Sequence, residues 1–206
     1  MERYPLTKTE YGIYIEQMTT HGTAYNNPFA IPLPEGVDIE RFRAAVRAFV
    51  KAHPYMNTGF GVDENGEAYK YTRCCGAEAE IDVINTDRFD IAEYVAPFDL
   101  HNDILYRFRV IVTPGEKIFF FDVHHSIFDG TSLDIMLRGI DAAYNGSALE
   151  SESFTANDLA VEEQARAASP EFASAREYYM SVFDGVDTDS EQFGKFQQPN
   201  TATVFH

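Results

Sequence analysis

Lys117-Ile-Phe-Phe-Phe-Asp-Val-His-His-Ser-Ile-Phe-Asp-Gly130 is the stretch that decides the fold. Ile118 to Val123 is almost unbroken in apolar residues and rich in aromatic rings, the pattern of a strand covered on both faces. Successive strand side chains point to opposite faces, so only one of His124 and His125 can face a given cleft. Beyond Gly130, Thr131 with Asp134 three residues on reads as the start of a helix. Leu133, Met136, Leu137, Ile140 and Tyr144 form its buried stripe, and Asn145-Gly146 ends it. The unit is strand, loop, helix.

Upstream, Leu105 to Ile111 partly alternates and is joined to the aromatic strand through Pro114-Gly115, which predicts a hairpin. A further strand is expected at Ile81 to Ile84 and a short helical piece from Asp90 to Ala96, stopped by Pro97. Asn65-Gly66 suits the tight turn of a second hairpin between Phe60–Val62 and Ala68–Tyr71. Asp38 caps a helix with the stripe Ile39, Phe42, Val46, Phe49 and Val50, ended at Pro54. Tyr25 to Leu33 carries Pro28 and Pro32 and is at most an edge strand. Thr7 and Glu10 read as a capping box before a first helix, along which Tyr11, Tyr14, Ile15 and Met18 recur at helical spacing as an apolar stripe. After a polar linker, helices are expected from Asn157 to Ala168 and from Ser169 to Phe183. The sum is an α/β fold, a mixed β-sheet packed with helices.

The chain has 206 residues, 17 Phe and 12 Tyr, enough ring area for a core without disulfides or metal. Its net charge of −17 repels phosphate backbones and anionic lipid, which argues against nucleic acid and membrane partners. The two cysteines, Cys74 and Cys75, are adjacent and offer neither a disulfide framework nor metal-ligand spacing, so a cytoplasmic location is expected. Arg43, Arg47 and Lys51 recur at four-residue spacing and read as a solvated helical face, with docking of an acidic partner protein as the alternative.

One constellation carries chemistry. His-His-x-x-x-Asp-Gly at 124–130 arises by chance on the order of once in a thousand chains of this length. An imidazole at a strand end suits general-base work. Asp129 can turn back to fix the loop. Gly130 leaves room for a backbone N–H to approach a substrate oxygen, or meets a positive φ.

Asp122 to Leu133 resembles the HHxxxDG core of the condensation domains of non-ribosomal peptide synthetases, whose lobes are similar to chloramphenicol acetyltransferase. Tyr4-Pro-Leu-Thr-Lys-Thr-Glu10 resembles the opening motif of such domains. His53-Pro-Tyr-Met-Asn-Thr-Gly-Phe60 resembles their RHExLRTxF segment, with Ala52, Pro54 and Asn57 in place of Arg, Glu and Arg. The resemblance implies that His125 is the catalytic position, that Asp129 orients the loop and that Gly130 lies near the substrate carbonyl. It implies too that His124 is structural, and that Asn57 offers Asp129 a hydrogen bond where the family has a charged partner. The implied reaction joins acyl and aminoacyl thioesters held on phosphopantetheine arms of carrier proteins, with no directly bound cofactor and no metal. His125 is expected toward an open face and His124 packed behind it.

Family domains have two lobes, and 76 residues after Gly130 are too few for a second. Residues 1–183 are therefore expected to be an N-terminal lobe and 184–206 a linker toward a C-terminal lobe. Carrier proteins, that lobe and neighbouring synthetase domains are the expected partners, and the chain alone is expected to form no amide. Two other readings stay open: a single-lobe trimeric acyltransferase using coenzyme A or lipoyl thioesters, and a non-catalytic docking module.

Overall fold

The computed structural model describes residues 2–73 and 79–184. The chain divides into two compact units, 1–163 and 164–206. Cys74 and Cys75 lie outside the described residues.

The first unit runs α1 (Lys8–Thr20), β1 (Asn26–Leu33), α2 (Ile39–Ala52), a 3₁₀ turn (Pro54–Asn57), β2 (Thr58–Val62), β3 (Ala68–Thr72), β4 (Ile81–Asn85), a second 3₁₀ turn (Ile91–Tyr94), β5 (Tyr106–Val112), β6 (Lys117–His124), α3 (Gly130–Tyr144) and the start of α4 (Ala156–Ala167). The main sheet has the order β1-β6-β5-β4, antiparallel except for the β4–β5 pair. β2 and β3 form a separate hairpin around Gly66, whose φ of +84° explains the glycine of Asn65-Gly66.

The aromatic strand sits inside the sheet and is covered on both sides. Phe119, Phe121 and Val123 join the main core with Phe42, Val46 and Phe49 of α2 and Met136 and Ile140 of α3. Phe42 meets Phe119 edge-on at 5.0 Å, an arrangement that satisfies the ring quadrupoles. On the other face, Ile118, Phe120 and Ile111 are covered by Ile84 of β4 and by Phe89, Ile91, Tyr94 and Val95 from the β4–β5 crossover. α2 and α3 approach closely because position 139 is glycine: a Cβ there would stand 2.7 Å from the Phe49 ring. Pro28 and Pro32 fall in β1, the edge strand expected from them.

Three expectations are corrected. The buried face of α1 is Glu10, Tyr14 and Gln17, while Tyr11 and Ile15 are 51% and 46% exposed. The helix is rotated because Glu10 finds an ion partner and the Gln17 amide donates to the carbonyls of Gly22 and Phe98. Burial of the paired Glu10 carboxylate and the Gln17 amide N–H groups here outweighs the apolar periodicity. α3 is capped by Asp129 rather than Thr131, because the Asp129 carboxylate accepts from the Ser132 backbone N–H at 2.8 Å. The basic strip on α2 is not simply a solvated face: Arg43 Nε donates to the Ile81 carbonyl at 2.9 Å and Arg47 Nε to that of Ala79 at 3.3 Å, tying α2 to β4 and the residues before it.

In the second unit, α5 (Pro170–Val182) is capped by Ser169, whose hydroxyl accepts from Phe172 N–H, with Pro170 in the first turn. None of its residues is buried.

Candidate active site

The strand end separates the two histidines as alternation requires. His124 is fully buried and His125 exposed. The His125 backbone N–H donates to the Tyr25 carbonyl at 2.8 Å, and its ring Nδ1 lies 2.9 Å from the Phe128 carbonyl. A carbonyl oxygen only accepts, so Nδ1 carries the hydrogen and the neutral ring presents its lone pair at Nε2. The short loop thus sets both the position of the imidazole and its tautomer.

His124 has the opposite tautomer. Its Nδ1 accepts from the Ser126 backbone N–H at 3.3 Å and meets the Ser126 hydroxyl at 2.8 Å, which leaves the hydrogen on Nε2. That Nε2 has no hydrogen-bond partner among the described residues, and the ring meets Phe98 edge-on at 5.9 Å. Burial, aided by the neighbouring His125, pushes the His124 pKa down to about 4, so the ring is neutral at neutral pH. Two residues back on the same strand face, Asp122 is buried against Asn26 at 2.6 Å and Arg107 at 3.2 Å. Burial raises its pKa in spite of both partners.

His125 opens into a cavity of about 830 Å³. Its walls include Ile127, Phe128 and Asp129 from the loop, Thr131, Ser132 and Ile135 from α3, His53 and Tyr55 after α2, and Glu152 and Phe154 from the segment before α4. Asp129 lines this space, and its Oδ1 accepts from both the Ser132 N–H and the Ser132 hydroxyl at 2.8 Å. These bonds hold its pKa below the usual carboxylate range. Gly130 does not line the cavity, its φ is not positive, and a Cβ on it would meet nothing within 4 Å. The expectation of positive φ at Gly130 is therefore corrected; what the glycine leaves is open space. Asn57 Oδ1 accepts from the Tyr106 hydroxyl at 3.1 Å, and the Asn57 carbonyl accepts from Arg73 N–H at 2.9 Å.

A second polar assembly on the cavity wall has no signal in the sequence. Lys70, fully buried in β3, donates to both Glu10 oxygens at 2.6 and 2.7 Å and to the Ala156 carbonyl at 2.8 Å. Glu10 also accepts from Thr7 N–H and the Tyr55 hydroxyl. Burial and then the Glu10 charge push the Tyr55 phenol well above its ordinary pKa, while burial lowers that of Lys70 against the pull of Glu10. Glu10 was legible only as a cap. Its partner lies 60 residues away, and a single Lys in a short strand carries no signal of burial. Among the described residues no three His, Cys, Asp or Glu side chains are grouped to hold a metal ion, and no helix is long and apolar enough to cross a membrane.

A mixed sheet whose inner strand delivers one imidazole to a cavity beside a capped helix is an architecture of the chloramphenicol acetyltransferase-like fold. Solved structures agree. The starter condensation domain of the rhizomide synthetase RzmA superposes with a TM-score of 0.75 at 16% identity, covering 91% of this chain and 49% of that one. The first condensation domain of the calcium-dependent antibiotic synthetase, in complex with a substrate analogue, gives 0.73 at 18% identity with the same coverage. At these identities the likeness shows the fold.

The sequence profile of the family described as Condensation domain matches residues 1–199, and the chain belongs to that family. It is 31% identical over 189 residues to bacitracin synthase 1 of Bacillus licheniformis and 30% identical over 190 to tyrocidine synthase 3 of Brevibacillus parabrevis. Each alignment takes in 88% of this chain, but only 4% and 3% of those long relatives. The chain spans about half of the solved condensation domains it matches.

Proposed function

We propose that the chain supplies the HHxxxDG-bearing half of a condensation site, in which the acyl group of one carrier-bound thioester passes to the amine of another. The observation that carries this reading is His125: exposed in the cavity, with Nδ1 committed to the Phe128 carbonyl and Nε2 left as an acceptor. In the proposed reaction the amine nitrogen attacks the thioester carbonyl, the C–N bond forms, the C–S bond breaks and the pantetheine thiolate leaves. Nε2 accepts a hydrogen bond from the attacking amine and takes up or orients its proton. Thioesters are reactive, so holding two tethered substrates in line supplies much of the acceleration. Asp129 acts through the loop, because its carboxylate fixes the first turn of α3 next to His125.

On this reading residues 1–183 form the motif-bearing lobe and 184–206 lead toward a second one. The substrates arrive on phosphopantetheine arms of carrier proteins, in the cytoplasm, and neighbouring synthetase domains are the other partners. The test is reconstitution of the parent synthetase with loaded carriers. His125→Ala is expected to lower product formation by about 100-fold or more. Equal yields from wild type and His125→Ala would overturn the reading in favour of a docking module.

A further inference from the structure

We propose that His53 and Glu152 form an amine-binding wall of the cavity, which holds the ammonium of an aminoacyl substrate; this rests on the condensation reading above. The imidazole of His53 lines the same cavity as His125 and has the same tautomeric lock. Its Nδ1 lies 2.9 Å from the Phe49 carbonyl, so Nδ1 donates and Nε2 keeps its lone pair. The ring stacks on Phe49 at 4.0 Å between centroids, which fixes its plane. No residue of the chain among those described hydrogen-bonds to Nε2.

Glu152 is brought to the same place by two backbone bonds that straddle His53. Its own N–H donates to the Ala52 carbonyl at 3.4 Å, and its Oε2 accepts from Tyr55 N–H at 3.1 Å. These bonds hold Glu152 to the positions on either side of His53, and both side chains line the one cavity. Oε1 of Glu152 takes no hydrogen bond from the described residues and, like His53 Nε2, it is an acceptor. Among the described residues the cavity lining contains no Lys or Arg, and Lys70, which holds the lining residue Glu10, is engaged by Glu10 and the Ala156 carbonyl. Acceptors that no cation of the described lining meets favour a ligand that brings donors and positive charge. An ammonium does so; a plain acyl chain does not, and a carboxylate is repelled. Were His53 only the cap of α2, its Nδ1 bond and ring stacking would be its whole contribution, and no amine preference would follow.

The experiment uses the 206-residue chain and two non-hydrolysable probes, leucyl-pantetheine amide and its des-amino counterpart, 4-methylpentanoyl-pantetheine amide. Affinities are measured by calorimetry and the His53 ring is followed by NMR. The aminoacyl probe is expected to bind about tenfold more tightly and to shift the His53 ring signals. His53→Phe keeps the stacking on Phe49, and Glu152→Gln keeps an acceptor for Tyr55 N–H. Each variant, with its thermal melt checked, is expected to bring the two affinities within about twofold of each other. Equal affinities in the wild type, binding without change at His53, or no binding of either probe overturns the proposal. The His125→Ala assay in the parent reads the condensation function separately, since it loses product whatever His53 binds.

Discussion

Acidification singles out His124. Its folded pKa is about 4 against an ordinary 6.5, because a fully buried ring resists the proton. Above pH 6.5 neither the folded nor the unfolded ring is charged, and the residue costs nothing. As pH falls from 6.5 toward 4 the unfolded chain binds a proton that the folded chain refuses, so stability drains away over that window and levels off below it. Each pKa unit corresponds to about 1.4 kcal/mol, which gives a loss of about 3 kcal/mol in full and about 2.5 kcal/mol by pH 4.5. That is a large part of the ~5–15 kcal/mol typical of a domain. Urea unfolding followed by far-UV circular dichroism near pH 7 and pH 4.5 measures it, with His124→Leu as the non-titrating control. Carboxylates with lowered pKa, Asp63, Asp99, Asp129 and Asp158, destabilise both proteins alike on acidification and cancel in the comparison. Wild type is expected to lose about 2.5 kcal/mol more than the variant between the two pH values. An equal loss in both would refute the argument. His125→Ala is expected to narrow the difference, because the neighbouring imidazole is the second cause of the depression.

Lys70→Met leaves the buried Glu10 carboxylate without its cation and is expected to cost about 3–5 kcal/mol, whereas the pair Lys70→Met with Glu10→Gln recovers most of it in urea melts. A double variant no more stable than the single one would show that the ion pair is not what fixes α1. Asp129→Ala is expected to cost about 1 kcal/mol through loss of the α3 cap, while Asp129→Asn, a good cap, costs a few tenths. If both variants lose condensation equally in the parent, the charge of Asp129 matters beyond the cap. Gly130→Ala meets no steric obstacle and is expected to leave stability unchanged or raise it by up to about 1 kcal/mol. A fall in condensation without a fall in stability would then mean that the empty space at Gly130 is needed by substrate.

Legibility tracked the range of the interaction. The aromatic strand, the Asp38 cap, both hairpin turns and the proline-marked edge strand are set by neighbours a few residues away, and period and turn chemistry reveal them. α1 was misread in orientation because its buried face is chosen by Lys70, a partner from a different hairpin. The α3 cap was misread because Asp129 and Thr131 both carry a capping oxygen, and sequence does not tell which one starts the helix. The separation of His124 from His125 was legible from alternation alone. What sequence did not show was the cavity wall that His125 shares with His53, Tyr55 and Glu152, which meet only after α2 and the segment before α4 have packed.

The group that orients His125 bears on its chemistry. In a Ser-His-Asp triad a buried carboxylate accepts from Nδ1–H and stabilises the imidazolium that forms during reaction. Here a neutral backbone carbonyl takes that place at Nδ1, while the charge of Asp129, hydrogen-bonded in the first turn of α3, acts on His125 only through space. The carbonyl fixes orientation and tautomer as firmly as a carboxylate, but contributes only a dipole to a developing positive charge. An amine attacking a thioester needs no strong base, because the nucleophile is already competent once its proton is lost and the leaving thiolate is stable. For the proposed reaction an oriented lone pair at Nε2 therefore suffices, and most of the barrier reduction comes from placing two tethered substrates on either side of it. An ammonium held by Glu152 and His53 would be one such placement, with the carboxylate lowering the cost of bringing the charge into an apolar cavity and Nε2 of His125 meeting the proton that must leave.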